Sequence, residues 1–209
     1  MRIENLPDGM FQKVHFLEVT DSTNDYLKQF VEQGKPLIAQ AGEQRAGRGR
    51  QNRQWLSPRN QGLYISFLFY PQWFSGLSPI LNAVGVLAVL KSLRSLVPSG
   101  TSVYAKRPND VMIGGKKVSG VLVELSTLGV KIKWAIVGIG INIFQEEFSG
   151  LDRPKIPPTS LLLEGGNPKS LGQVRQPLIQ AFSDYLQEAQ DGKRSALELQ
   201  FQKELDISG

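Results

Sequence analysis

The chain has 209 residues, a formal net charge of +5, and 41% hydrophobic against 21% charged residues, a balance that suits one compact unit with a sizeable core and excludes a disordered chain. With no cysteine and a single histidine, His15, it excludes disulfides, thiol catalysis, cysteine-based metal sites and any polyhistidine site within one chain. No stretch resembles the apolar core of a signal peptide or approaches the ~18 apolar residues of a membrane span, so a cytoplasmic protein with anionic partners is expected.

From Asp21, "DSTNDYLKQFVEQGKP" predicts a helix with Ser22 as N-cap and Asp25 three residues on. Tyr26, Leu27, Phe30 and Val31 form its apolar face, and Gly34 and Pro36 stop it. "LIAQA" predicts a short strand, and "GLYISFLFY" a second one with Leu63, Ile65, Phe67 and Phe69 on a single buried face. In "SPILNAVGVLAVLKSLRSLVPSG" the apolar residues run almost all round, which predicts a largely buried helix capped by Ser78, started by Pro79 and closed by Gly100. From Val103 to Phe144, valine- and isoleucine-rich runs broken by "RPND", "GG" and "STLG" predict an antiparallel meander of short strands. An irregular, proline-bearing connection follows. The remainder is helical, with Ser170 as cap and Pro177 marking either a kink or a later start. Strands in the middle with helices at the ends and in one insert give an α+β fold rather than a doubly wound one.

Between the first two of these strands lies "GEQRAGRGRQNRQW", four arginines with Gly47 and Gly49 interleaved. It reads as a solvated basic turn, an RGG-like nucleic-acid segment, or an anion site in which glycine lets the backbone approach and arginine binds carboxylate or phosphate two-handed. It is neither a Walker loop nor a dinucleotide fingerprint, since strand pattern follows it. Lys106, Lys116 and Lys117 gather around Asp110, and Lys117 opens an apolar strand, so it is either a snorkelling surface lysine or one that faces a charged ligand. Asp21 to Asn24 is a helix start with hydroxyl and amide groups to spare. No serine sits in a nucleophile elbow, and covalent catalysis has no support.

These stretches in order, "DSTN", "GEQRAGRGRQNRQWLSP", "KRPND" with "KKVSGVLVE", and "VGIGINI", resemble the biotin protein ligases over roughly residues 15 to 145. The resemblance implies a mixed, largely antiparallel sheet flanked by helices, like the class II aminoacyl-tRNA synthetase catalytic fold. It also implies two-step chemistry: biotin and MgATP give biotinyl-5′-AMP, and biotin then passes to the acceptor lysine of a biotin carboxyl carrier domain of acetyl-CoA carboxylase. Carried over by position, Ser22, Thr23, Asn24 and Gln44 would hold biotin. Arg48, Gly49 and Arg50 would wrap its carboxylate and the α-phosphate, with Arg50 the main electrostatic catalyst. Lys117 would bridge the carboxylate and the phosphate, and Gly120 would let the backbone approach biotin. Arg53, Asn109, Asp110 and Asn142 would lie in the nucleotide region, with Asp110 also near the Mg²⁺ that ATP brings. No prosthetic group, DNA partner or membrane partner is implied, and homodimerisation is left open.

The chain departs from the family pattern at Arg107, where tryptophan is usual, and at Asn52, where glycine is common. It resembles the monofunctional type, so residues 1–209 are expected to form one catalytic domain without an N-terminal helix-turn-helix or a C-terminal SH3-like domain. Rival readings are a lipoate or octanoate transferase of related fold, an inactive relative, and a basic nucleic-acid-binding module.

Overall fold

The computed structural model describes residues 1–71, 73, 76, 79–149 and 155–205, with the backbone alone at Asn52. Among them, eight strands form one sheet: β1 (Arg2–Asn5), β2 (Lys13–Thr20), β3 (Leu37–Gln44), β4 (Gly62–Phe69), β5 (Val103–Lys106), β6 (Asp110–Ile113), β7 (Lys116–Leu128) and β8 (Lys131–Asn142). The helices are α1 (Thr23–Lys28), α2 (Pro79–Leu93), α3 (Gly172–Gln190) and α4 (Arg194–Lys203). The strand order is β1-β2-β3-β4-β8-β7-β6-β5, and every pair except β2 with β3 is antiparallel. This is the mixed, largely antiparallel α+β architecture that the sequence predicts, including the β5 to β8 meander.

Period-two alternation divides the two faces of the sheet. Leu63, Ile65, Phe67 and Phe69 of β4 and Ala135, Val137, Ile139 and Ile141 of β8 point into the main core with α2, α3 and α4. Leu68 and Ile136 point the other way and join Leu27, Leu37 and Ala39 in a smaller core beneath α1. Strand β4 is therefore buried on both faces, not on one as its pattern suggests, because it lies in mid-sheet with α1 covering its second face. Helix α2 is apolar nearly all round because it lies between the sheet and the α3–α4 pair. Gly85 permits that approach: a Cβ there would come within 2.8 Å of a Val121 methyl.

Several boundaries differ from expectation. Helix α1 has only six residues, and a short 3-10 turn at Val31–Gln33 carries the chain to Gly34, whose φ of 66° ends it. Ser22 makes no capping hydrogen bond, and Asp25 turns to Arg48 and Lys28 instead of completing a capping box. Strands β7 and β8 run for 13 and 12 residues, so Ser126, Thr127 and Leu128 are strand, and the turn falls on Gly129 at φ 59°. Helix α3 starts at Gly172 with Leu171, not Ser170, at its cap, and it runs through Pro177. The expected cap Ser78 and the middle of the proline-bearing connection lie outside the described residues.

In the main core Phe182 of α3 stacks on Phe67 with ring centroids 4.0 Å apart, with Phe11 and Phe69 against it. On the other face His15 of β2 sets α1 in place. Its Nδ1 lies 2.9 Å from the Tyr26 hydroxyl, and its ring meets Phe30 edge-on. Phe182→Ala should lower the unfolding free energy by about 3–5 kcal/mol in a denaturant titration, the range for truncating a buried aromatic side chain. Burial, aided by the charge of Lys13, holds the His15 imidazole below its ordinary pKa. The unfolded chain therefore takes up the proton first, and His15 contributes stability that is complete above about pH 6.5 and lost as pH falls through its lower folded value. Stability of the native protein should accordingly decline more between about pH 7 and pH 5 than that of His15→Phe.

Candidate active site

On the face of the sheet carrying α1, three glycines clear a strip of bare backbone. Gly120 of β7 pairs with Gly140 of β8, and Gly138 pairs with Ser66 of β4 and Leu122 of β7. Side chains from elsewhere lie directly on this strip. A Cβ at Gly138 would collide with the Asn24 amide, and one at Gly140 would collide with the Trp55 indole. At Gly120 a Cβ would come within 3.2 Å of the same indole and 3.4 Å of the Lys117 ammonium. Because no Cβ rises from it, Asn24 and Trp55 seat directly in a trough of bare backbone.

The first residues of α1 form its polar end. Gln44 Oε1 accepts from the Thr23 amide at 2.9 Å and from the Thr23 hydroxyl at 3.0 Å, while Gln44 Nε2 donates to Ser57 at 2.9 Å. The Ser66 hydroxyl lies 2.7 Å from that of Thr23 and donates to Asn24 Oδ1 at 2.6 Å. Asn24 Nδ2 donates to Glu124 at 2.6 Å, so partners on both sides set its amide orientation. Ser22, Thr23 and Asn24 are all buried, and Ser22 is extended at the helix start. A groove of about 650 Å³ that includes Arg45, Arg59 and Gln145 shares Gln44, Trp55 and Ser57 with the trough.

The arginine loop folds as a small hairpin. Arg48 bridges to Gln54, the Gly49 amide donates to Arg53 at 2.7 Å, and the Trp55 amide donates to Gly47 at 2.9 Å. Gly47 has no alternative, since a Cβ there would lie 2.5 Å from the Trp55 carbonyl. At the base, the amides of Arg45 and Ala46 donate to Thr20 and Asp21, each at 2.9 Å. This return brings Trp55 onto the glycine strip, with its Nε1 buried and without a protein partner. Arg50 and Arg53 are exposed at the tip, Arg53 donating to Gln51, whose φ is 57°.

Arg48, placed by position at a ligand's carboxylate, is instead engaged by the protein. Both of its terminal nitrogens bond the Asp25 carboxylate, one at 2.7 Å, and it lies 3.5 Å from Glu124. Lys28 joins the same two acids at 2.9 Å each. The Arg48 hydrogen bond, with help from Lys28, holds the Asp25 carboxyl down at about 2 despite its partial burial.

Lys117 is the cation on the trough. Its ammonium lies 2.7 Å from Asp110 and 5.4 Å from the centre of the Trp55 ring. Asn109 and Asn142 are buried, and each spends its side-chain amide on a backbone carbonyl: that of Val121 for Asn109 and that of Thr159, at 2.9 Å, for Asn142. Among the described residues no three acidic or histidine side chains converge to hold a metal ion, and Asp110 faces Lys117.

The structure thus gathers Ser22, Thr23, Asn24, Gln44, Lys117 and Gly120 about one trough, sets Arg50 and Arg53 at the loop tip, and ties Asn109 and Asn142 into the walls. Sequence reasoning overlooked Trp55, Ser66, Gly138, Gly140, Asp25 and Glu124. A signal was present for some of them: Gly138 and Gly140 alternate onto one face of β8, and Glu124 is the lone charge within the apolar run "VSGVLVEL".

The biotin/lipoate A/B protein ligase family matches residues 16–142. The biotin–[acetyl-CoA-carboxylase] ligase of Paracoccus denitrificans is 32% identical over 166 residues, 78% of this chain and 69% of that protein. The bifunctional ligase/repressor BirA of Bacillus spizizenii is 29% identical over 83% of this chain and 53% of its own length, so the chain spans about half of that relative. Among solved structures, the biotin protein ligase of Aquifex aeolicus in complex with biotin and ATP superposes with a TM-score of 0.75 at 31% identity, over 92% of this chain and 78% of that one. That family model spans more than half of the sequence, and the chain belongs to the biotin/lipoate A/B protein ligase family.

Proposed function

We propose that this chain is an ATP-dependent biotin–[acetyl-CoA-carboxylase] ligase, which makes biotinyl-5′-AMP and passes biotin to the acceptor lysine of a biotin carboxyl carrier domain. The observation that carries the reading is the trough itself. It has amide and hydroxyl groups at one end, a lysine ammonium at the other, a flat backbone floor and an indole lid whose N–H has no protein partner. A bicyclic urea with an aliphatic acid tail needs that arrangement: paired donors and acceptors for the ureido group, apolar surface for the rings, and a cation for the carboxylate. The likeness to the Aquifex aeolicus ligase in complex with biotin and ATP supports both ligands.

In this reading Ser22, Thr23, Asn24 and Gln44 orient the ureido ring, and Gly120 and its neighbours let it lie close to the sheet. The carboxylate oxygen attacks the α-phosphorus of MgATP, the bond to the β-phosphate breaks, and pyrophosphate leaves. Two anions must meet for that step. Lys117, exchanging Asp110 for the incoming anions, would offset their repulsion and stabilise charge building on phosphorus, with Arg50 and Arg53 closing from the loop. The carrier's lysine amine then attacks the acyl carbon and AMP departs. The nucleophile belongs to the carrier, so the enzyme needs none, in keeping with a site that has no activated serine and a chain with no cysteine.

Intact-mass measurement of a carrier domain incubated with the protein, biotin and MgATP should show an ATP-dependent gain of one biotin, with lipoate in place of biotin giving none. Gain with lipoate alone would move the assignment to the other branch of the family. Lys117→Ala should slow biotin-dependent pyrophosphate release by about 100-fold or more, the scale lost with one preorganised charge or donor. Near-normal release would remove Lys117 from its role.

A further inference from the structure

We propose that Asp25 and Glu124 are positioning residues: they grip Arg48 as a latch that holds the arginine loop shut over the trough, leaving Arg50 and Arg53 as the loop's free cations. Among the described residues, Arg48 makes the only side-chain hydrogen bonds and ion pairs that join residues 45–54 to the rest of the chain. The remaining ties of this segment are backbone bonds: those at its base, through Arg45 and Ala46, and those within its own hairpin. Freeing the loop's side chains from the rest of the chain therefore means breaking the Arg48 fork to Asp25 and its ion pair to Glu124, with Trp55 at the hairpin's end still seated on the glycine strip.

The charge count separates Arg48 from its neighbours. Arg48 and Lys28 face Asp25 and Glu124, two cations against two anions, so this cluster has no surplus with which to draw an anionic ligand. Arg50 and Arg53 are exposed and make no ion pair among the described residues. A planar, two-handed pairing is also the geometry in which arginine fixes orientation best, and a lysine there would be a poor substitute. The low Asp25 pKa keeps the fork ionised at any physiological pH.

Glu124 extends the latch to the ligand end. One of its oxygens accepts from the Asn24 amide while the other faces Lys28 and Arg48, so loop closure and the orientation of Asn24 share a single carboxylate. Asn24 is held over Gly138 by Ser66 and Glu124 together, so the carboxylate that braces the loop also sets this amide. The consequence for ligand retention rests on the biotin-ligase reading; the latch itself does not.

Two measurements on the intact chain test this. Hydrogen–deuterium exchange should rise about fivefold or more in residues 45–55 of Asp25→Asn, with α2 and the central strands unchanged, and Asp25→Glu should restore most of the protection. In the same variant biotinyl-5′-AMP should dissociate faster and KM for biotin rise by about fivefold or more, with kcat nearly unchanged, because a lost latch lowers the closed fraction and not the chemistry. Unchanged exchange in Asp25→Asn, or loosening spread across α2 and the sheet, would overturn the latch. If the wild-type protein forms no adenylate, the biotin reading fails and the exchange data still decide the latch.

Discussion

A strand buried on both faces has no room for a ligand unless side chains are removed from one of them, and the site of this protein depends on that constraint. β4 and β8 lie in mid-sheet, with their odd-numbered residues committed to the aromatic and aliphatic core against α2 and α3. On the opposite face the sheet carries Gly120, Gly138 and Gly140, with Ser66 and Leu122 on either side of Gly138. The resulting recess is floored by peptide backbone and holds the Asn24 amide and the Trp55 indole. Each of those glycines forgoes packing and adds backbone entropy to the unfolded chain, which the dense core behind them offsets.

The loop solves a second problem, that of bringing positive charge beside the glycine strip. Arg48, Arg50 and Arg53, close in sequence, would repel one another if all faced inward. The structure divides them: Arg48 is neutralised against α1 and β7, whereas Arg50 and Arg53 project from the tip, held out by the 3-10 turn and the positive φ of Gln51. Fixing the base of the hairpin costs chain entropy once, through two backbone bonds and one forked ion pair, and every group on the loop then shares that fixation.

Much of the architecture was legible because periodicity reports burial directly. The meander from Val103 to Phe144, the all-apolar helix of Pro79–Leu93 and the loop between β3 and β4 follow from alternation, from helical spacing and from glycine punctuation. Boundaries were less legible, for physical reasons. Asp25 was read as half of a capping box, but an arginine far along the chain outcompetes the helix's own amides for its carboxylate, and α1 ends after six residues. Ser66 and Glu124 occupy strand positions whose partners come from α1, a contact that no local pattern encodes. Trp55 lay within the quoted loop, but only the hairpin's return brings it onto β8.

Asn24 shows how the two halves of the site are joined. A terminal amide has a donor side and an acceptor side, and in a buried setting both must be satisfied or the group costs more than it contributes. Here the acceptor side takes a hydroxyl from the sheet and the donor side meets Glu124, which also faces Arg48 and Lys28. Replacing Glu124 by a neutral residue would leave Arg48 with Asp25 alone and deprive the Asn24 amide of its anionic acceptor, so one carboxylate sets both the hydrogen-bond pattern at the polar end and the reach of the loop. The one acid on β7 is placed where the sheet, the helix start and the arginine loop meet.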